Sequence, residues 1–147
     1  MLMKSRVIML CIFVLLLFGM VMCSSSAGNQ EIGASCDDFR KVSQAPSVLN
    51  EKVEIKSGML LTVKLCSNRT TGFQWTEKAK ISNPVILQQI EHKYVAPGVK
   101  VLGAPGEEIW VFKAIKGGNG VVSMEYSRPW EGGEKGIWEY RVSVVVK

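Results

Sequence analysis

From residue 51 onward the chain alternates between apolar and polar positions. Val53 and Ile55 are interleaved with charges, and Leu61, Val63 and Leu65 share one face opposite Thr62 and Lys64. Ile86, Ile90 and Tyr94 fall on one parity of residues 85–95. Trp110, Phe112 and Ala114 share a face, as do Val122, Met124 and Tyr126. The last stretch is the clearest: Trp138, Tyr140, Val142, Val144 and Val146 alternate with Glu139, Arg141 and Ser143. A period of two over such lengths predicts half-buried antiparallel strands. Ser57-Gly58, Asn83-Pro84, Pro97-Gly98, Gly117-Gly118-Asn119-Gly120 and Gly132-Gly133 punctuate them as turns. About seven short strands with no long helical pattern predict an all-β protein, an antiparallel β-sandwich.

The residues before 51 read differently. Lys4 and Arg6 precede an uncharged apolar run, residues 7–22, which is short for a membrane span of about 20 residues and fits the core of a signal peptide. Two exits are open: cleavage after Ser25-Ser26-Ala27, or lipid attachment at Cys23, although Met22 stands where a lipoprotein signal usually has Ala or Gly. Residues 1–27 are therefore read as leader and start of a tether, residues 28–50 as an N-terminal segment, and residues 51–147 as the domain. Within the segment, Cys36-Asp37-Asp38-Phe39 suits a short helical turn or an extra edge strand.

Export makes the protein secreted or part of the cell envelope, touching a membrane only through a lipid on Cys23. Loss of Lys4 and Arg6 leaves 16 basic against 13 acidic residues, an excess of about +3. With no Lys/Arg block, nothing favours nucleic acid as a partner. Either exit leaves Cys36 and Cys66 as the remaining pair. In an exported protein such a pair is usually a disulfide, the alternative being two buried thiols.

Three loops carry the remaining information. The first reads Ser67-Asn68-Arg69-Thr70-Thr71-Gly72-Phe73-Gln74-Trp75, the second Leu102-Gly103-Ala104-Pro105-Gly106, and the third Ser127-Arg128-Pro129-Trp130-Glu131-Gly132-Gly133. Asn68 suits a side-chain-capped turn, Gly72 a positive φ, and Phe73 and Trp75 an anchor in the core. Pro129 restricts Arg128 to extended geometry and presents Trp130 outward. Trp and Arg dominate binding hot spots. In order and spacing these loops resemble the chagasin family, immunoglobulin-like protein inhibitors of papain-type cysteine proteases, over residues 53–147. The family's first loop is Asn-Pro-Thr-Thr-Gly-Phe, its second is glycine-rich, and its third is Arg-Pro-Trp.

The resemblance implies an immunoglobulin-like sandwich and a reversible inhibitor whose loops block the active-site cleft. It implies protease contacts at Asn68, Arg69, Thr70, Thr71, Gly72 and Phe73, at Gly103, Ala104, Pro105 and Gly106, and at Arg128, Pro129 and Trp130. A papain-like cysteine protease is the expected partner, with no cofactor and a monomeric inhibitor. The chain departs from the pattern at Arg69, where proline is expected, and at Pro105, where glycine is. Arg69 is expected to pair with acidic residues on an enzyme rim, and it leaves Asn68-Arg69-Thr70 as an N-glycosylation sequence whose glycan would block the loop.

Catalysis has little to draw on. His92 is the single histidine, read as an exposed strand residue, and Asp37 and Asp38 are the only aspartates. No nucleophile–base pair, metal-ligand cluster or phosphate loop can be assembled from these residues. The alternative function is an exported immunoglobulin-like adhesion or cell-envelope module, which the fold alone does not exclude.

Overall fold

A computed structural model of the chain describes residues 28–42, 46–99 and 101–147. The leader and Cys23 lie outside the described residues. Among these residues there are nine strands: β1 (Asn29–Ala34), β2 (Ser47–Ile55), β3 (Leu60–Ser67), β4 (Gln74–Trp75), β5 (Lys80–Ile81), β6 (Leu87–Val95), β7 (Gly106–Ala114), β8 (Gly118–Ser127) and β9 (Trp138–Val146). One short helix, α1 (Cys36–Lys41), lies between β1 and β2. The strands form two sheets in the orders β1-β3-β7-β6 and β2-β9-β8-β4, with β5 also on β8. The expected β-sandwich is present.

Its pairing is mixed rather than purely antiparallel, because β1 runs parallel to β3 and β2 parallel to β9. Alternation reports which face a residue occupies, not the direction of its neighbour. Here the chain passes from one sheet to the other between β1, β2 and β3, so the added edge strands return in parallel. β2 already begins at Ser47, ahead of the alternating stretch.

The two inner faces meet as the alternation predicts. Leu61, Val63, Leu65, Trp110, Phe112, Val122, Met124, Tyr126, Tyr140, Val142 and Val144 are all essentially inaccessible. Three features differ. Ile90 falls in a β-bulge between Gln89 and Glu91 and stands 51% exposed, because the bulge shifts inward parity from Leu87 and Gln89 to His92. Thr62, expected on the outer face, is buried where its hydroxyl donates to Asn29 Oδ1 of β1. The glycine run expected as a turn instead enters β8: a Cβ on Gly118 or Gly120 would lie 2.7 or 3.1 Å from Ile86, so glycine lets that side chain pack onto the strand.

The N-terminal segment is integral to the core. Ser35 caps α1, accepting from Asp38 N while Asp38 accepts from Ser35 N at 2.8 Å. The Ser35 hydroxyl, which donates to Asp38 Oδ2 at 2.6 Å, and the Ser35 N–H together hold the Asp38 carboxyl below its usual range. Spacing of i, i+3 turns Cys36 and Phe39 to the same side. Phe39 is fully buried, stacked on Trp138 at 4.9 Å and tilted against Trp75 at 5.3 Å. It joins the core that the two sheets share. Cys36 and Cys66 form the disulfide, with Cα atoms 5.2 Å apart and a sequence separation of 30, and so fasten α1 to the end of β3.

Two stability measurements check this arrangement by urea denaturation of the purified protein. Phe39→Ala is expected to cost about 3–5 kcal/mol, the range for a large aromatic removed from a packed core. The double change Cys36→Ser and Cys66→Ser is expected to cost about 2–4 kcal/mol. A Phe39→Ala loss below 1 kcal/mol would show that α1 merely rests on the sandwich.

Candidate functional site

Strand pairing places the three loops at one end. Ser67, where β3 ends, pairs with Gly106, where β7 begins, and Gln74 of β4 pairs with Ser127 at the end of β8. The first loop leaves β3 and enters β4, the second precedes β7, and the third follows β8. Between the sheets, Asn68 N donates to the Tyr126 hydroxyl at 2.8 Å. Burial raises that hydroxyl above the usual tyrosine range, so it stays a neutral acceptor at physiological pH.

The first loop is a single 3-10 turn, residues Arg69–Thr71, capped by Asn68. Asn68 Oδ1 accepts from Thr70 N at 3.2 Å and from Thr70 Oγ1 at 2.6 Å, while Thr71 Oγ1 donates to Asn68 O at 2.6 Å. Both threonine hydroxyls therefore donate within the loop and offer a partner only their acceptor capacity. Gly72 has φ of 80°, as its place in the motif predicts, and its N–H donates to Arg69 O at 3.1 Å. The turn closes on itself five residues after β3.

Its outer surface is not bare. A Cβ on Gly72 would lie 2.5 Å from Trp130 Cη2, so the indole of the third loop occupies the room that glycine leaves. Trp130 is 51% exposed: it faces outward as expected, yet one part of its ring rests on the first loop. Arg128 adds a second brace. Its guanidinium stacks over Phe73 at 4.5 Å, and Nη2 donates to Thr71 O at 3.4 Å. Lys135 Nζ donates to the Trp130 carbonyl at 3.0 Å and also to the Arg128 carbonyl, fixing the third loop from behind.

The second loop is joined to the first by Asn68 Nδ2, which donates to Gly103 O at 3.0 Å. Gly103 takes φ of 80°, and Ala104 N donates to Val101 O at 3.1 Å in a tight turn that leaves Leu102 fully exposed. Pro105 stands where no left-handed backbone is needed, so the departure from glycine is compatible with the turn.

Two expected contact residues are placed elsewhere. Phe73 is buried, stacked on Tyr126 at 5.5 Å, and forms the floor of the first loop rather than its surface. Gly106 is the first residue of β7 and buried. A Cβ there would lie 2.3 Å from Val95 O, so its role is close packing of β7 on the end of β6. Arg69 also departs from expectation. Its guanidinium lies over the Tyr94 ring at 4.2 Å, and Nε sits 3.5 Å from Glu108 Oε1, so its charge is met by a partner within the chain.

Glu108 was missed by the sequence reading. Its carboxylate is fully buried beneath the first loop. Oε1 accepts from Ser67 Oγ at 2.8 Å and from Trp75 N at 3.3 Å, and Oε2 lies 2.9 Å from His92 Nε2. His92, expected exposed, has 14% of its side chain accessible and packs on Trp110 at 4.9 Å. A signal for Glu108 was present, because it continues the inward parity of Trp110, Phe112 and Ala114.

The loop end is therefore a rigid surface of bare backbone at Gly103, threonine oxygens, and the apolar Leu102 and Trp130. Among the described residues no group of histidine, cysteine and acidic side chains could hold a metal ion. A β-sandwich with three braced loops at one end defines a protein-binding module. Residues 54–144 match the Chagasin family peptidase inhibitor I42, a stretch that takes in all three loops. Chagasin of Trypanosoma cruzi is 38% identical over 77 residues, 51% of this chain and 70% of that protein.

Similarity of fold extends to two solved structures. The cysteine protease inhibitor EhICP2 from Entamoeba histolytica is 19% identical, with a TM-score of 0.61 over 81% of this chain and 97% of that one. PbICP-C in complex with falcipain-2 is 18% identical, with a TM-score of 0.57 over 82% of this chain and 99% of that one. The chain belongs to the chagasin family of peptidase inhibitors, which are inhibitors and not enzymes.

The Gly72–Trp130 contact generates a double-mutant prediction. Gly72→Ala is expected to cost about 1–2 kcal/mol from the left-handed backbone alone, plus a steric part from Trp130. Gly72→Ala with Trp130→Ala should recover the steric part and keep the backbone part, so the two changes should be non-additive in melting curves. Simple additivity would show that the indole does not rest on Gly72 in solution.

Proposed function

We propose that this protein is a reversible, non-covalent inhibitor of papain-like cysteine proteases that closes the active-site cleft with its three loops. Such an inhibitor must fill a cleft holding a thiolate and an imidazolium without being cut. A loop that is already stiff loses little entropy on binding. The observation that carries the reading is the bracing of the loops in the free protein, with Asn68 tied to Gly103 and Trp130 seated on Gly72. A capped 3-10 turn ending in a left-handed glycine also offers the nucleophile a peptide that is not extended.

In this reading Thr70, Thr71 and Gly72 cover the catalytic cysteine and histidine. Gly103, Ala104 and Pro105, with Leu102, take one side of the cleft, and Pro129 and Trp130 the other. Asn68, Phe73, Gly106 and Arg128 hold these groups in place. No cofactor takes part and the inhibitor acts as a monomer. The leader supports export to the cell exterior or envelope, with Cys23 as the residue for a lipid anchor. An interface of standard size, about 1,600 Å² in total, is compatible with nanomolar affinity.

Titration of papain with the purified protein tests this. The expected result is reversible inhibition in the nanomolar range, with serine, aspartic and metalloproteases unaffected. Trp130→Ala should lose about 2–4 kcal/mol of binding with its melting temperature preserved. No inhibition of papain at micromolar concentration would transfer the reading to an exported adhesion or cell-envelope module.

A further inference from the structure

A carboxylate taken fully out of water requires partners that answer its charge, and the partners of Glu108 are arranged around the first loop. Ser67 is the last residue of β3 before the loop, and Trp75 lies in β4 just after it. Both donate to Oε1, so one oxygen gathers the two ends of the loop. His92 approaches the other oxygen from β6. The fourth partner, Arg69, belongs to the loop itself.

Arg69 Nε stands 3.5 Å from Oε1, long for a hydrogen bond but well within ion-pair range. The guanidinium lies over the Tyr94 ring at 4.2 Å, and Arg69 keeps 40% of its side chain accessible. Stacking on an aromatic face while facing a carboxylate uses the planar, delocalised charge of arginine, which lysine does not reproduce. The backbone of Arg69 opens the 3-10 turn, and its carbonyl accepts the Gly72 N–H. Fixing the Arg69 side chain from below thus fixes the turn that presents Thr70, Thr71 and Gly72.

We infer that Arg69 and Glu108 are positioning residues for inhibition: the ion pair, seated on Tyr94, is a strut that sets the geometry of the first loop and makes no contact with the protease. The inference rests on the inhibitor reading for its kinetic arm, but its structural arm is independent of any enzyme. A strut and a contact residue differ in which rate they change. A charge that touches an acidic enzyme rim acts through salt-dependent association. A charge that orders a loop acts through dissociation, and only while its internal partner is present.

The experiment is a double-mutant cycle with Arg69→Met and Glu108→Gln in the purified protein. Association and dissociation rates are measured against papain at two salt concentrations. Hydrogen exchange at the Thr71 and Gly72 amides is followed in the free inhibitor. Arg69→Met is expected to speed dissociation about tenfold, the scale of one charge-assisted contact, with association and its salt dependence unchanged. In the Glu108→Gln background the same change should alter dissociation less than about twofold, as for coupled residues. Exchange at Gly72 should rise in each single variant.

Tyr94→Leu, which removes the stacking surface and leaves the carboxylate in place, should reproduce the Arg69→Met result and keeps the test valid if Glu108→Gln does not fold. A slower, salt-sensitive association that is the same in both backgrounds would overturn the inference, because Arg69 would then touch the enzyme. Unchanged exchange at Thr71 and Gly72 in Arg69→Met would also overturn it. If the unaltered protein fails to inhibit papain, the inhibitor reading fails, while the exchange result still decides whether the strut exists.

Discussion

The buried carboxylate of Glu108 is the constraint around which the loop end is built. A charge at the rim of an apolar sandwich cannot be left without partners, and each partner it receives fixes something. Ser67 and Trp75 bring the ends of the first loop together, His92 ties in β6, and Arg69 brings the loop itself. Above this level the loop is braced laterally, through Asn68 to the second loop and through Arg128 and Trp130 to the third. Below it, Trp75 continues into the aromatic cluster with Phe39 and Tyr126. The hydrophobic core, the buried charge and the exposed surface form one stack.

That stack explains how a loop of polar residues is held in place between β3 and β4. Ordering a residue costs roughly 1–2 kcal/mol of backbone entropy, and a free loop would lose that on binding. Here the loss is taken on folding, offset by hydrogen bonds within the turn and by aromatic packing beneath it. The disulfide contributes from the other side, since Cys66 lies one residue before Ser67 in β3. Family membership and the braced surface therefore agree on a protein that binds by shape it already has.

Much of this was legible in the sequence. Alternation assigned the inward face of β3, β7, β8 and β9 correctly, because a period of two has one reading when both sheets bury a side. Gly72 was legible as a turn residue, since it needs the left-handed backbone it adopts. β1 was not, because Asn29, Gln30 and Glu31 carry no apolar alternation and the strand is held by edge pairing with β3. The bulge at Gln89 and Glu91 was hidden for a related reason: an inserted residue leaves local composition unchanged while reversing which side chains face inward. The placement of Arg69 over Tyr94 and the seat of Trp130 on Gly72 depend on residues 25 and 58 positions away in sequence, Tyr94 and Trp130. Local pattern does not encode such partners, although the parity of Glu108 did mark a charge on the core face.

The central claim is that the three loops act as one surface, and hydrogen exchange of this protein with and without bound papain tests it most directly. Joint protection of amides at Thr70, Thr71, Gly72, Gly103, Ala104 and Trp130 is predicted, with none at Ser57, Gly58 and Gly117 at the opposite end. Protection confined to a single loop, or lying along β1 and α1 with the loop amides unchanged, would contradict it.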